Sequence, residues 1–130
     1  MQTSQDAFRT FRRVMRAGIA LNVLLGLWLW WWPAGFLEII GADLAAPLTW
    51  PRYAGLAMLA VGLLYLPAAL APLHNRLVAL LSTLFRGLFA LFFLFAAGPL
   101  WLLAFYEALL AVLQGVTFWR AWRADLMAKP

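Results

Sequence analysis

Cysteine is absent from the 130 residues, and histidine occurs once, at position 74. Without cysteine the chain has no disulfide framework, no Fe–S cluster, no thiolate metal site and no cysteine nucleophile. With His74 alone, one chain cannot supply two axial ligands to a haem or build a His-rich metal site. Ser82 and Thr83 have no histidine or lysine placed on a neighbouring apolar segment to activate them, and no phosphate-cradling glycine loop occurs. No catalytic residue and no metal ligand is therefore assigned. Charge is also scarce: 12% of residues are charged and 66% are apolar, where soluble domains carry roughly 25% charged residues. That balance excludes a water-soluble globular fold and points to a lipid-embedded chain. Low-complexity stretches, long linkers and internal repeats are lacking too, so residues 1–130 read as one domain.

A helix crossing the hydrocarbon core needs about 20 largely apolar residues. Divided at its turn signals, the chain offers four such runs, at about 14–32, 51–70, 76–97 and 100–119. Pro33, Gly35, Gly41 and Pro47 separate the first two, Pro72, His74 and Asn75 the next two, and Gly98-Pro99 the last two. The first run ends in Trp30-Trp31-Trp32, which is no cleavage site for a signal peptide, so it reads as a permanent helix. Between runs one and two, Phe36 to Leu44 reads FLEIIGADL, with Phe36, Ile40 and Leu44 at four-residue spacing. This pattern predicts a short helix lying at the membrane interface. The expected fold is all-α, a polytopic four-helix membrane bundle with that interfacial helix between helices 1 and 2.

The basic residues are distributed unevenly. Arg9, Arg12, Arg13 and Arg16 precede the first span, Arg76 lies beside the second loop, and Arg120, Arg123 and Lys129 follow the last span. All eight fall on one side of a four-span topology, whereas the opposite side carries Arg52 with Glu38 and Asp43. The positive-inside rule then predicts both termini in the cytoplasm, with a bacterial inner membrane as the best-fitting location. The net charge of +5 is explained by arginines beside anionic lipid, and no nucleic-acid partner is needed. Trp28, Trp30, Trp31, Trp32, Trp50 and Trp101 gather at the outer boundary and Trp119 and Trp122 at the inner one, as aromatic belts do.

Lipid gives helices no hydrophobic drive to associate, so small residues and polar groups must hold the bundle. Four stripes offer them: Gly18, Asn22 and Gly26; Gly55, Met58 and Gly62; Ser82, Thr83, Gly87 and Ala90; Ala104, Ala108, Ala111 and Gly115. Two ionisable residues lie inside spans. Arg86 is 11 residues before Ala97, about 16 Å below the outer end of its helix at 1.5 Å per residue. Glu107 is 7 residues after Leu100, about 10 Å down the next helix on the same rise. The Gly98-Pro99 turn makes the two helices antiparallel neighbours, and arginine's length can bridge the difference. Asn22 sits at about the depth of Arg86, and Gln114 lies one heptad beyond Glu107 on the same face. Asn22, Arg86 and Glu107 are thus the expected polar layer, either structural or ligand-binding, with Arg52 and Gln114 as secondary positions.

From Pro33 to Arg86 the order is a proline after a Trp-rich helix, an amphipathic piece reaching Gly41, then Pro51-Arg52-Tyr53-Ala54-Gly55 opening a glycine-spaced helix, then Tyr65-Leu66-Pro67. With four spans in 130 residues, this resembles the DoxX-like group of small bacterial inner-membrane proteins, chiefly through Arg52, Gly55, Gly62 and Arg86. The resemblance implies a four-helix bundle and, for some relatives, association with membrane redox or quinone-linked enzymes. No functional residue is carried over from it. The leading functional expectation is a non-catalytic accessory or binding subunit whose partner is another membrane subunit, a second copy of the chain, or an apolar ligand such as a quinone or lipid. No cofactor is required. The alternative is a small proton-coupled transporter that works as an oligomer and uses Glu107.

Overall fold

The computed structural model describes residues 4–42, 47–96 and 100–128. Five helices follow one another: α1 (Ser4–Trp31), α2 (Pro33–Ile39), α3 (Thr49–Leu70), α4 (Arg76–Phe95) and α5 (Trp101–Met127), and no strand occurs among the described residues. Of these, α1, α3, α4 and α5 are long and apolar enough to cross a membrane. The chain is a small integral membrane protein, with four such helices and one short one among the described residues.

The short helix begins earlier than its apolar spacing predicts. Pro33 opens α2, because proline lacks an N–H that the first helical turn would leave unbonded in any case. Gly41, expected inside the helix, lies beyond its end with a φ of +71°, a left-handed conformation that glycine adopts without penalty. Phe36 turns inward and packs edge-on to Trp28 at 5.6 Å, while Glu38 and Ile39 face outward. Asp43 and Leu44, the rest of the predicted segment, lie outside the described residues, as do Gly98-Pro99, Ala97 and Lys129.

Helices α1 and α5 run past the ends that hydropathy marks for them. At 28 and 27 residues each reaches about 40 Å, against a hydrocarbon thickness of about 30 Å. Their arginine-rich ends zip together: Ala7 and Phe8 pack on Ala121, and the Phe11 and Phe118 rings meet at 5.4 Å. Arg9 and Arg13 stay exposed on the opposite face. Amphipathic periodicity therefore carries both helices on after the lipid-matching composition stops. At the same end, Arg76 at the start of α4 pairs with Asp125 near the end of α5 at 2.8 Å. Asn75 Nδ2 donates to the Pro67 and Ala71 carbonyls, tying the α3–α4 connection to the last turn of α3.

Around the bundle α3 packs on α1, α1 on α5, and α5 on α4, whereas α3 and α4 touch only sparingly. The α1–α3 seam is the tightest. A Cβ on Gly55 would lie 2.6 Å from the Gly26 carbonyl oxygen, and one on Gly26 would lie 2.8 Å from that of Gly55. Only glycine at both positions permits this backbone approach.

The stripe predicted for the last helix is corrected. Its buried face carries Ala104, Glu107, Leu110, Gln114, Phe118 and Ala121, with Ala108 exposed and Ala111 and Gly115 half-buried. Glu107 and Gln114 cannot face lipid, so they turn the helix and leave the alanine stripe at the margin. On α4 the buried residues are Ala79, Ser82, Arg86 and Ala90. Apart from its own helix backbone, Gly87 has no described atom within 4 Å of where its Cβ would be. Gly87→Ala is therefore expected to raise stability, by about 0.5–1 kcal/mol from the lost flexibility of glycine in a helix. A higher melting temperature in detergent would register it, and a lower one would mean that Gly87 has a contact beyond this chain.

Candidate functional site

Two apolar cores occupy the two ends of the bundle. One gathers Phe11, Met15, Ile19, Tyr65, Ala68 and Phe118 at the arginine-rich end; the other gathers Leu29, Phe36 and Ile40 at the tryptophan-rich end, with Met58 and Leu103 against it. Between them lies a layer of buried polar side chains: Asn22 from α1, Arg86 from α4 and Glu107 from α5. Arg86 Nη1 donates to Glu107 Oε2 at 2.8 Å, and Nη1 and Nη2 each reach Asn22 Oδ1 at 3.4 Å. The Tyr106 hydroxyl donates to the same Asn22 oxygen at 2.9 Å.

Three donors on one oxygen fix the Asn22 amide with its oxygen toward Arg86. Gly18, one turn before Asn22, makes room for the cation, since a Cβ there would lie 3.1 Å from Arg86 Nη2. The guanidinium lies over the Tyr65 ring, with Cζ 5.6 Å from its centroid. Arg86 is only 1% exposed and Glu107 5%, so both ions are largely desolvated. Each desolvation costs several kcal/mol, and the short charge-assisted bond between them offsets most of it.

Gln114 stands one layer nearer the arginine-rich end. Its Nε2 lies 2.9 Å from Met15 Sδ, and Ser82 Oγ, which donates to the Ala79 carbonyl at 2.8 Å, lies 3.8 Å from the same sulfur. A Cβ on Gly18 would also lie 3.5 Å from Gln114 Nε2. Gln114 thus adjoins the layer without bonding to it. Arg52 stands apart, exposed in the first turn of α3, and His74 is exposed in the loop between α3 and α4. Among the described residues no three His, Cys, Asp or Glu side chains come together as a metal site would require.

Above the layer, toward the tryptophan-rich end, a cavity of about 490 Å³ opens among the helices. Its walls are apolar: Phe36 of α2, Trp50, Ala57 and Met58 of α3, and Phe89 and Phe93 of α4. Its floor is polar, formed by Asn22, Tyr65, Arg86 and Glu107. From Trp50 to Tyr65 along α3 the cavity extends about 22 Å. It follows the side where α3 and α4 touch least. An apolar cleft of this size with a few convergent polar groups at one end is the usual form of a small-molecule site.

Depth along the spans puts Glu107 within reach of Arg86 and Asn22 level with it, but marks neither Tyr65 nor Tyr106. A signal existed: Tyr106 lies five residues inside α5 and Tyr65 five residues before the end of α3. A tyrosine set inside a span is an apolar body with a hydroxyl that must find a partner. The chain matches no protein-family model, no curated protein and no solved structure.

Proposed function

We propose that this membrane protein is a non-catalytic binding or accessory subunit that holds a lipid-like molecule, such as a quinone or a lipid, in the cavity above Arg86 and Glu107. The observation that carries the reading is the cavity itself, apolar along its walls and polar only at the floor. An elongated apolar ligand with one polar end fits that gradient, with its tail along Met58 and Phe93 and its head near Asn22 and Tyr65. In this proposal the arginine-rich end faces the cytoplasm of a bacterial inner membrane, and a quinone-linked membrane enzyme of the kind that the DoxX-like resemblance implies is the partner class.

The transporter alternative is the weaker reading. Arg86 lies 2.8 Å from Glu107 Oε2, and a carboxylate so held is poorly suited to exchange protons in each cycle.

The test compares the wild type with Ala57→Trp. Ala57 is exposed and lines the cavity, so an indole there fills the cavity at little cost to packing. Both proteins are extracted from membranes in mild detergent, and everything that copurifies is identified by mass spectrometry. The expected result is one defined lipid-like molecule retained by the wild type and depleted at least tenfold in a folded Ala57→Trp. Identical copurifying molecules in both proteins would overturn the proposal.

A further inference from the structure

The hydrogen-bonding capacity left open at the cavity floor narrows the ligand further, on the reading that the cavity binds one. Besides the enclosed Arg86 Nε, three floor atoms make no hydrogen bond among the described residues. Glu107 is held by one oxygen, Oε2, which leaves Oε1 as an acceptor. Asn22 uses only its oxygen, which leaves the Nδ2 amide as a donor. The Tyr65 hydroxyl bonds to nothing, while its ring lies against the Arg86 guanidinium. All three residues line the cavity, and each is at least nine-tenths buried. Unlike the enclosed Arg86 Nε and Gln114 Oε1, these three atoms keep some accessible surface on residues that line the cavity, so a ligand's polar atoms can meet the hydrogen-bonding capacity they leave open.

Charge at the floor is already balanced. The positive charge of Arg86 is spent on Glu107 and Asn22, and its remaining Nε–H is enclosed with no partner. A phosphate head would therefore meet no free cation and would lie against the open carboxylate oxygen of Glu107. It would also have to leave the interface for the layer in which Arg86 stands, about 15 Å from either end of α4. A head that only accepts hydrogen bonds would leave Glu107 Oε1 unmet.

We infer that the cavity selects a neutral lipid whose head carries a hydroxyl, the hydroxyl donating to Glu107 Oε1 and its oxygen, or a neighbouring one, accepting from Asn22 Nδ2 and from the Tyr65 hydroxyl. Two membrane sources share this chemistry, a reduced quinone and a diacylglycerol.

The full chain in phosphatidylcholine nanodiscs is titrated separately with decylubiquinol, dioctanoylglycerol and dioctanoyl phosphatidic acid, and adducts are counted by native mass spectrometry. The expected result is a one-to-one adduct with decylubiquinol or with dioctanoylglycerol, whichever binds identifying the source, and binding of the phosphatidic acid at least tenfold weaker. Ala57→Trp should abolish that adduct. Tyr65→Phe, which keeps the ring over Arg86, should weaken it by about three- to tenfold, as the loss of one hydrogen bond does. Phosphatidic acid that binds as tightly as the neutral lipids, and is displaced by Ala57→Trp, would overturn the neutral-head inference and leave the binding cavity standing. If no lipid forms an adduct sensitive to Ala57→Trp, both readings fall. Unchanged affinity in a folded Tyr65→Phe would remove Tyr65 from the head site and count against the inference.

Discussion

Glu107→Leu is expected to cost about 3–5 kcal/mol of unfolding free energy, because it strands the buried Arg86 cation without its partner. An arginine cannot shed its charge in this setting. Arg86→Met should be milder, since a carboxylic acid left alone can neutralise itself by taking up a proton. The double variant Arg86→Met with Glu107→Leu should recover most of the loss, because two apolar side chains of similar volume meet the lipid-like interior without any desolvation. Denaturation of the three variants in mixed micelles gives the coupling energy directly. If the double variant is as unstable as the two single losses added together, the ions contribute separately and the pair is not the unit of stability. The double variant also separates two roles: if it folds yet retains no ligand, the layer's importance lies at the cavity floor.

The second large effect belongs to the α1–α3 seam. Gly55→Ala places a methyl group 2.6 Å from the Gly26 carbonyl oxygen and 2.9 Å from the Trp30 backbone nitrogen. Backbone atoms cannot step aside as a flexible side chain can, so the two helices must separate. Overpacking of this kind costs about 1–3 kcal/mol, only partly offset by the gain of about 1 kcal/mol that alanine brings to a helix. Gly55→Leu should be worse and disrupt assembly of the bundle. Gly62→Ala is the control on the same helix: its new methyl would find its nearest neighbour, Val23 Cγ2, at 3.7 Å, an ordinary contact. Equal melting temperatures for Gly55→Ala and Gly62→Ala would contradict the close approach.

The four long helices were legible because lipid imposes one requirement on all of them, a long apolar run, and glycine and proline mark its interruptions. Their true lengths were not. Hydropathy stops at Val14 and Trp119, but Phe8, Phe11, Phe118 and Ala121 give α1 and α5 a reason to continue in each other's company. Arg86 and Glu107 stood out because ions inside a span are costly, and simple depth arithmetic on adjacent helices brings them within reach of each other. On α5 the face of Glu107 and Gln114 turns inward as their polarity requires, while the alanine stripe does not, since small residues and polar residues compete for the interior and the polar ones win. The cavity could not be foreseen, because it depends on the spacing between α3 and α4, which no local pattern encodes.

That spacing has a consequence for how a molecule would exchange with the site. The helices are joined in the order α3, α1, α5, α4, and the chain of firm contacts does not close on itself. At the arginine-rich end Asn75 bonds back to the last turn of α3 and Arg76 ties α4 to α5, while toward the tryptophan-rich end Gly26 and Gly55 hold α3 to α1. The mouth between α3 and α4 therefore widens only if the α1–α3 pair swings as one jaw against the α4–α5 pair, like a clothes-peg. Widening that mouth breaks none of the glycine or ion-pair contacts. A guest would then slide in sideways from the acyl chains without passing through water, and its turnover would follow the lateral pressure and thickness of the surrounding bilayer.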